Sequence, residues 1–170
     1  LHAVSCSGTN ACAGVADLFC ASESEDCRLT CAGTAACTGA GFVCGSEQRC
    51  DVACKEGACV DAAVTCGPKE CAVACSGSEH ATCRRLTVRG EAASSLSFTL
   101  GVNGGEAYYH HYGHHNYERH GDDSGRGADI RCPTDGTSPC SVACTATAAL
   151  GSFKSSKGTN RHHSRPRNTC

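Results

Sequence analysis

The sequence predicts an all-β fold, namely a disulfide-stapled parallel β-helix or β-solenoid with coils of about 22 residues and one long inserted segment. Two observations lead to this class. Cysteine accounts for 18 of the 170 residues, and a cysteine pattern recurs along the chain. Only 5% of the residues are aromatic and Trp and Met are absent, so a large hydrophobic core is not expected. Disulfides can replace the missing aromatic core.

The repeat consists of one cysteine, a short spacer, and two further cysteines with three residues between them. Four copies align: Cys20-x6-Cys27-Arg-Leu-Thr-Cys31, Cys44-x5-Cys50-Asp-Val-Ala-Cys54, Cys66-x4-Cys71-Ala-Val-Ala-Cys75 and Cys132-x7-Cys140-Ser-Val-Ala-Cys144. Intact copies are followed by a Gly-containing link and another cysteine, as in Cys31-Ala-Gly-Thr-Ala-Ala-Cys37. Copies in the first half are offset by 21 to 25 residues, which is typical of one coil of a β-solenoid.

Apolar residues and cysteines alternate with other residues in two strands of each coil. The first strand reads Ala16, Leu18, Cys20; Ala40, Phe42, Cys44; Ala62, Val64, Cys66; and Ala128, Ile130, Cys132, and the second is centred on Leu29, Val52, Val73 and Val142. This alternation predicts strands with the apolar face inward. The outward columns are mostly small: Thr30, Ala53, Ala74, Ala143, and Asp17, Gly41, Ala63, Asp129. Such a wall permits close approach of another sheet, or is the plain surface of a lean solenoid.

The cysteine spacing restricts the disulfides. Four residues of a strand cover about 13 Å, whereas the Cα atoms of a disulfide lie about 4.4–6.8 Å apart, so Cys27 cannot bond Cys31. Pairing within coils joins Cys6 with Cys12, Cys20 with Cys27, Cys31 with Cys37, Cys44 with Cys50, Cys54 with Cys59, Cys66 with Cys71, Cys75 with Cys83, Cys132 with Cys140, and Cys144 with Cys170. The alternative pairs equivalent cysteines of adjacent coils, which lie about 4.8 Å apart. The within-coil scheme is favoured because it makes each repeat self-contained.

The pattern divides the chain into cysteine-rich coils (1–83), an inserted His/Tyr-rich segment (84–127), and a returning coil with a basic Ser/Lys/Arg-rich loop (128–170). Two strand-like stretches, Leu86-Thr-Val88 and Ser97-Phe-Thr-Leu100, open the insert. They belong either to extra coils without cysteine or to a hairpin and long loop that bulge from one turn. The bulge is favoured, because residues from Gly104-Gly105 onward lack strand alternation.

Tyrosine and histidine concentrate in the insert: Tyr108, Tyr109, His110, His111, Tyr112, His114, His115, Tyr117 and His120. These residues are candidates for contact with a neighbouring subunit or a ligand such as a sugar. With Glu118, Asp122 and Asp123 the imidazoles form a possible transition-metal site. A subunit contact or a plain exposed loop is favoured over a metal site, and we predict no metal and no cofactor. Cys-x-Cys and Cys-x2-Cys spacings are absent, which argues against zinc-finger or metallothionein chemistry.

The charge and hydropathy of the chain limit the classes of partner that we expect it to bind. The net charge of −2 gives no general attraction to nucleic acid, and no stretch approaches the roughly 20 apolar residues of a membrane span. The cysteine density predicts an extracellular or cell-surface protein, and a start at Leu1 without an apolar signal core predicts a processed product or a fragment of a longer one. No acidic residue follows Asp135, whereas five basic ones do: Lys154, Lys157, Arg161, Arg165 and Arg167. This tail suits head-to-tail association or an acidic polysaccharide, or is a solvated loop.

The Cys-x-Gly-x-x-Ala-Cys link, followed by an apolar strand, a cysteine, a spacer and Cys-x-Val-x-Cys, resembles the cysteine-rich right-handed β-helix repeats of secreted and surface proteins from algae and other protists. The resemblance covers residues 6–83 and part of 127–144. It implies a parallel β-helix at a cell surface or in a matrix, and it carries over no catalytic residue.

The sequence therefore predicts an extracellular structural protein that is a homo-oligomer or polymer, a protomer that stacks end to end into a filament or surface layer. The alternative is a carbohydrate-binding or carbohydrate-active β-helix protein. An enzyme is not expected, because Asp17 and Asp129 share a predicted column but not neighbouring coils. Ice binding is disfavoured, because Ala53, Ala74 and Ala143 interrupt the column that Thr30 begins. No Asn-x-Ser/Thr sequon is present, so a glycoprotein would carry O-linked glycans.

Overall fold

The computed structural model describes residues 2–20, 25–77, 81–102 and 127–145. Within these ranges the protein is an all-β parallel solenoid whose chain alternates between two sheets. The long strands form a six-stranded sheet in the order β1 (His2–Ser7), β3 (Asp26–Ala32), β5 (Arg49–Lys55), β7 (Glu70–Gly77), β9 (Ser95–Val102) and β11 (Cys140–Thr145). The short strands form a five-stranded sheet: β2 (Leu18–Phe19), β4 (Gly41–Val43), β6 (Ala63–Thr65), β8 (Thr87–Arg89) and β10 (Asp129–Arg131). The predicted fold class is confirmed.

The register of the strands places equivalent residues of successive repeats next to each other. Cys27 is opposite Cys50 and Cys50 opposite Cys71, and the central Leu29, Val52 and Val73 form the next inward column. All of these side chains are buried. The core is therefore a narrow column of cysteine and aliphatic side chains with two phenylalanines, Phe42 and Phe98, because each strand contributes only its inward alternate residues.

Residues 86–102 correct the expectation of a hairpin. β8 and β9 lie in different sheets, where β8 pairs in parallel with β6 and β9 with β7. They form a coil without cysteine, which was the alternative to the favoured bulge. Residues 103–126 lie outside the described ranges, so the boundary of the predicted insert at 127 stays a prediction.

Apolar side chains replace the disulfide in this coil. Gly90 and Leu96 stand in the positions of Cys66 and Cys71, as the register of β6–β8 and β7–β9 shows. A Cβ atom on Gly90 would lie 2.7 Å from a methyl carbon of Leu96 and 2.8 Å from the carbonyl oxygen of Arg131. The Leu96 side chain therefore occupies the corner that a disulfide fills in other coils, and Phe98 is fully buried beside it.

The links between long and short strands contain overlapping tight turns. The Ala36 N–H donates to Gly33 O (3.0 Å), the Thr38 N–H to Ala35 O (3.2 Å), and the Ala40 N–H to Cys37 O (3.1 Å). Ala35 and Cys37, at the third positions of two successive turns, have φ of 58° and 53°. A positive φ at the third position is typical of type II turns, in which glycine or asparagine ordinarily occupies that position.

The left-handed residues of the links also join the coils. The cysteines at Cys12, Cys37, Cys59 and Cys83 all have φ between 53° and 60°. The Cys37 N–H donates to Ala11 O (2.8 Å), the Cys59 N–H to Ala36 O and the Cys83 N–H to Ala58 O (both 2.9 Å). These inter-coil hydrogen bonds, with the disulfides, offset a conformational cost of about 1–2 kcal/mol per non-glycine residue.

This strain predicts the effect of a glycine at position 35. Ala35→Gly removes the left-handed penalty at a position with φ of 58°, and we expect the free energy of unfolding to rise by about 0.5–1 kcal/mol. Denaturant unfolding of the non-reduced protein measures it. Ala36→Gly, at the adjacent buried residue, is the control and is expected to lower stability by about 1 kcal/mol. A loss of stability in Ala35→Gly would contradict the account of the turn.

The coil without cysteine gives a second prediction. Because Phe98 is completely buried, Phe98→Ala should lower the free energy of unfolding by about 3–5 kcal/mol. Phe19 is 61% exposed, so Phe19→Ala serves as the matched control and should change stability by less than about 1 kcal/mol. Equal losses in the two variants would show that Phe98 does not support this coil.

Candidate functional site

The disulfides close the corners of the coils. One group joins the end of a long strand to the following link: Cys6 with Cys12, Cys31 with Cys37, Cys54 with Cys59, and Cys75 with Cys83. The other group joins a short strand to the next long strand: Cys20 with Cys27, Cys44 with Cys50, Cys66 with Cys71, and Cys132 with Cys140. Their Cα atoms lie 5.5–6.2 Å apart. These eight pairs are those of the within-coil scheme. The ninth, Cys144 with Cys170, stays a prediction because Cys170 lies outside the described ranges.

The predicted contact residues of the His/Tyr-rich stretch, from Tyr108 to His120, also lie outside the described ranges. The same holds for Glu118, Asp122 and Asp123 and for the basic residues from Lys154 to Arg167. Their roles therefore stay predictions. The candidate surfaces described below belong to the solenoid itself.

The outward columns match the predicted ones and add residues of the coil without cysteine. Thr99 stands between Ala74 and Ala143 on the six-stranded sheet. On the five-stranded sheet, Gly41, Ala63 and Thr87 separate the positions of Asp17 and Asp129. Four coil steps place those two carboxylates about 19 Å apart, beyond the roughly 5–9.5 Å of paired glycosidase carboxylates. These two residues therefore cannot act as such a pair.

A patch of alternating charges lies at the start of three long strands; we call it the charge patch. It consists of Asp26 and Arg28 on β3, Arg49 and Asp51 on β5, and Glu70 on β7. Asp26 is in register with Arg49, and Arg28 with Asp51. Both pairs are ion pairs with an N–O distance of 3.1 Å. A shallow groove runs over the patch.

Sequence reasoning missed the charge patch, although a signal was present. The charges stand at the alternate, outward positions of two aligned repeats, and their order is reversed from Asp26-x-Arg28 to Arg49-x-Asp51. Opposite charges directly across neighbouring strands stabilise the pairing by about 0.2–1 kcal/mol. Because the register was known from the cysteines, the reversal could have predicted both ion pairs.

Each sheet has two edge strands with a pairing partner on one side only, among the described residues: β1 and β11, and β2 and β10. The Gly8 N–H donates to Ala32 O (2.9 Å). This hydrogen bond establishes which residues of β1 direct their backbone N–H and C=O groups toward β3. Successive residues of a strand direct their backbone groups to opposite sides. Ala3, Ser5 and Ser7 therefore direct their N–H and C=O groups away from the solenoid.

The opposite edge presents the complementary set. The Leu96 N–H donates to Pro139 O (2.9 Å), and Leu96 is in register with Cys140. By the same alternation, the backbone groups of Cys140, Val142 and Cys144 point away from β9. The two large hydrophobic side chains that are exposed in the described ranges, Val15 (37%) and Phe19 (61%), both belong to the first coil.

Two carboxyls in the described part of the chain have lowered pKa values. The Ser138 hydroxyl, at 2.6 Å, and the backbone N–H groups of Ser138 and Thr137 donate to Asp135 and lower its pKa to about 2. This network organises the loop between β10 and β11. Hydrogen bonds from Arg85 lower the pKa of Asp61 and join the links of successive coils.

No family model matches the chain, and comparison with the curated proteins and with the solved structures gives no significant match. In the described part of the chain, no helix is long and apolar enough to cross a membrane. The same part holds no group of three or more His, Cys, Asp or Glu side chains arranged to bind a metal ion. The fold and its surfaces therefore carry the functional argument.

The Asp135 loop gives a pH prediction. Because the pKa of Asp135 is lower in the folded protein than in the unfolded chain, the carboxylate stabilises the fold above about pH 4, and this contribution is lost as the pH falls toward 2. Ser138→Ala removes the hydroxyl donor and should raise the midpoint of Asp135 in a carboxyl NMR titration. Asp135→Asn should flatten the decline of unfolding free energy between pH 4 and 2. An unchanged midpoint in Ser138→Ala would contradict the assigned hydrogen bond.

Proposed function

We propose that the protein is an extracellular structural protein whose protomers stack end to end into filaments or a surface layer. The observation that carries this proposal is the pair of edges with matching polarity at the two ends of the six-stranded sheet. All its strands are parallel, so the outward edge of β11 and the outward edge of β1 can continue one ladder.

The register supports the continuation. Through the six strands, His2, Val4 and Cys6 of β1 correspond to Cys140, Val142 and Cys144 of β11. In a stack, the N–H and C=O groups of Val142 would meet the C=O of Ala3 and the N–H of Ser5. This contact is heterologous and, without closure into a ring, produces a filament. The inward column of aliphatic residues would then pass from one protomer to the next.

The exposed apolar residues support the same contact. Phe19 and Val15 lie on the first coil, where β2 is an edge strand. The five-stranded sheet has one strand fewer in the described ranges, so one rung would lie between β10 and the next protomer's β2. Exposed apolar side chains at the end of the solenoid favour burial against another copy.

The disulfide density supports an extracellular location. All eight disulfides of the described coils close short corners, and such bonds persist in oxidising compartments. A coil that depends on them would be unstable in a reducing cytosol. The same bonds suit a structural role, because they hold each coil in shape without a large core.

The stacking proposal predicts filaments and an edge variant that prevents them. Electron microscopy of the non-reduced protein should show filaments with an axial repeat of about 29 Å, the height of six strands. Ser5→Pro removes an outward N–H and places a ring at the contact, while the hydrogen bonds between β1 and β3 do not use that N–H. We expect this variant to form monomers.

The matched control is Ser5→Ala, which keeps the backbone donor and should form filaments as the wild-type protein does. Circular dichroism and thermal unfolding establish that both variants fold. Wild-type protein that stays monomeric at high concentration would contradict the proposal. Filaments of Ser5→Pro with an unchanged repeat would place the contact elsewhere.

A further inference from the structure

The charge patch has a pattern that is complementary to itself. Along the strand start, Asp26, Arg49 and Glu70 alternate in sign from coil to coil, and Arg28 and Asp51 alternate beside them in the opposite order. Each charged residue of the patch on β3 and β5 thus has a neighbour of opposite charge on the adjacent strand and another along its own strand. The result is a checkerboard on an open sheet face.

A two-fold axis that runs parallel to the strands, above the gap between β3 and β5, brings two such faces together. The β3 row of one copy then faces the β5 row of the other, at the same positions along the strand. Asp26 faces the second copy's Arg49, and Arg28 faces the second copy's Asp51. Acid meets base at all four positions, as in an isologous interface.

We propose that this face of the six-stranded sheet binds the same face of a second copy with the solenoid axes antiparallel, so that filaments associate in pairs. The inference rests on the proposed stacking function for its filament form, but the face contact itself belongs to single protomers. It assigns a lateral partner, whereas the stacking edges assign an axial one.

The exposure of the ion pairs supports a partner of this kind. The side chains of Arg28 and Asp51 are 54% and 48% exposed, and those of Arg49 and Asp26 60% and 46%. Each charged group is thus about half exposed and keeps hydrogen-bonding capacity toward an incoming face. Along the same strands, Thr30, Ala53 and Ala74 present short side chains. The long, exposed side chain on this face beyond the patch is that of Lys55 at the end of β5, and under the proposed axis it would face the second copy's Ala32.

The size of the contact explains why it would appear in filaments. Four facing strands of about seven residues cover roughly 450 Å² on each copy, which is near the lower limit for a specific interface. A pair of single protomers would therefore be weak. A pair of filaments repeats the contact along its length, and the repeated contacts reinforce one another.

The test uses the variant Arg28→Asp/Asp51→Arg, which exchanges the two charges of one internal pair and keeps that pair intact. Its β3 row becomes wholly acidic and its β5 row wholly basic, so two variant faces still match under the proposed axis. Against the wild-type face, two of the four positions meet a like charge. Filaments of differently labelled wild type and variant, mixed in one sample, should each pair with their own kind.

Two-colour microscopy at about 20 mM ionic strength counts the pairs. We expect mixed pairs to be about tenfold rarer than like pairs, and all pairs to separate at about 0.5 M salt, where screening acts over about 4 Å. Asp61→Asn/Arg85→Gln, which neutralises an exposed ion pair on the link face, is the matched control and should pair with wild type normally.

Equal frequencies of mixed and like pairs would overturn the inference, as would pairs that persist in high salt. Pairing of wild type that the variant lacks altogether would overturn the proposed axis. Saccharide binding by the patch, measured with neutral and anionic oligosaccharides and lost in the variant, would assign the face to a glycan instead. If no filaments form, sedimentation at high concentration still decides: a salt-sensitive dimer supports the face contact and its absence refutes it.

Discussion

Closure of each coil upon itself is the constraint on which the rest of this structure depends. The inward face of a long strand offers three alternate positions, and in most coils two of them are cysteines. Such a strand contributes too little apolar surface to hold a coil by burial alone. A disulfide across a loop of five to eight residues contributes about 2 kcal/mol by restricting the unfolded chain, in a model-dependent and non-additive way. The inter-coil hydrogen bonds then only have to stack coils that are already closed.

How far the sequence could predict the molecule depended on where cysteine marked the register. The alternation around Leu29, Val52 and Val73 predicted long strands, inward faces and small outward columns, because cysteine must lie inward to reach its partner across a corner. The coil of β8 and β9 was considered but ranked below a bulge, since without cysteines Leu96 and Leu100 do not show which coil position they occupy. Left-handed φ at Ala35 has only an indirect sequence signal, namely Asn10 at the equivalent position of the preceding link, which also has φ of 58°. The charge patch could be predicted from the sequence only once the cysteines had established the register of β3 and β5.

Within the described ranges, the same repeat that closes the coils leaves an edge strand at each end of both sheets. Because successive coils repeat the same path, the strands of each sheet are parallel and the two edges of the sheet have matching polarity. Edges of matching polarity favour the addition of another copy. The charge patch does not follow from the repeat, since its reversed charges are specific to β3 and β5. The proposed axial stacking and the proposed lateral pairing would thus use separate sets of groups, backbone in the first case and side chains in the second. A layer would need both, and the disulfides hold the strands that carry both in a fixed geometry.

Mapping of the native disulfides tests the central claim most directly, because the sheets, their edges and the charge patch all depend on coils that close upon themselves. Non-reducing proteolysis followed by mass spectrometry identifies the linked peptides. The account predicts that Cys31 is linked to Cys37 and Cys54 to Cys59, with every other link likewise confined to one coil. Links between equivalent cysteines of neighbouring coils, such as Cys31 with Cys54, would contradict it. Such links would make the stack of coils, rather than the single coil, the covalent unit.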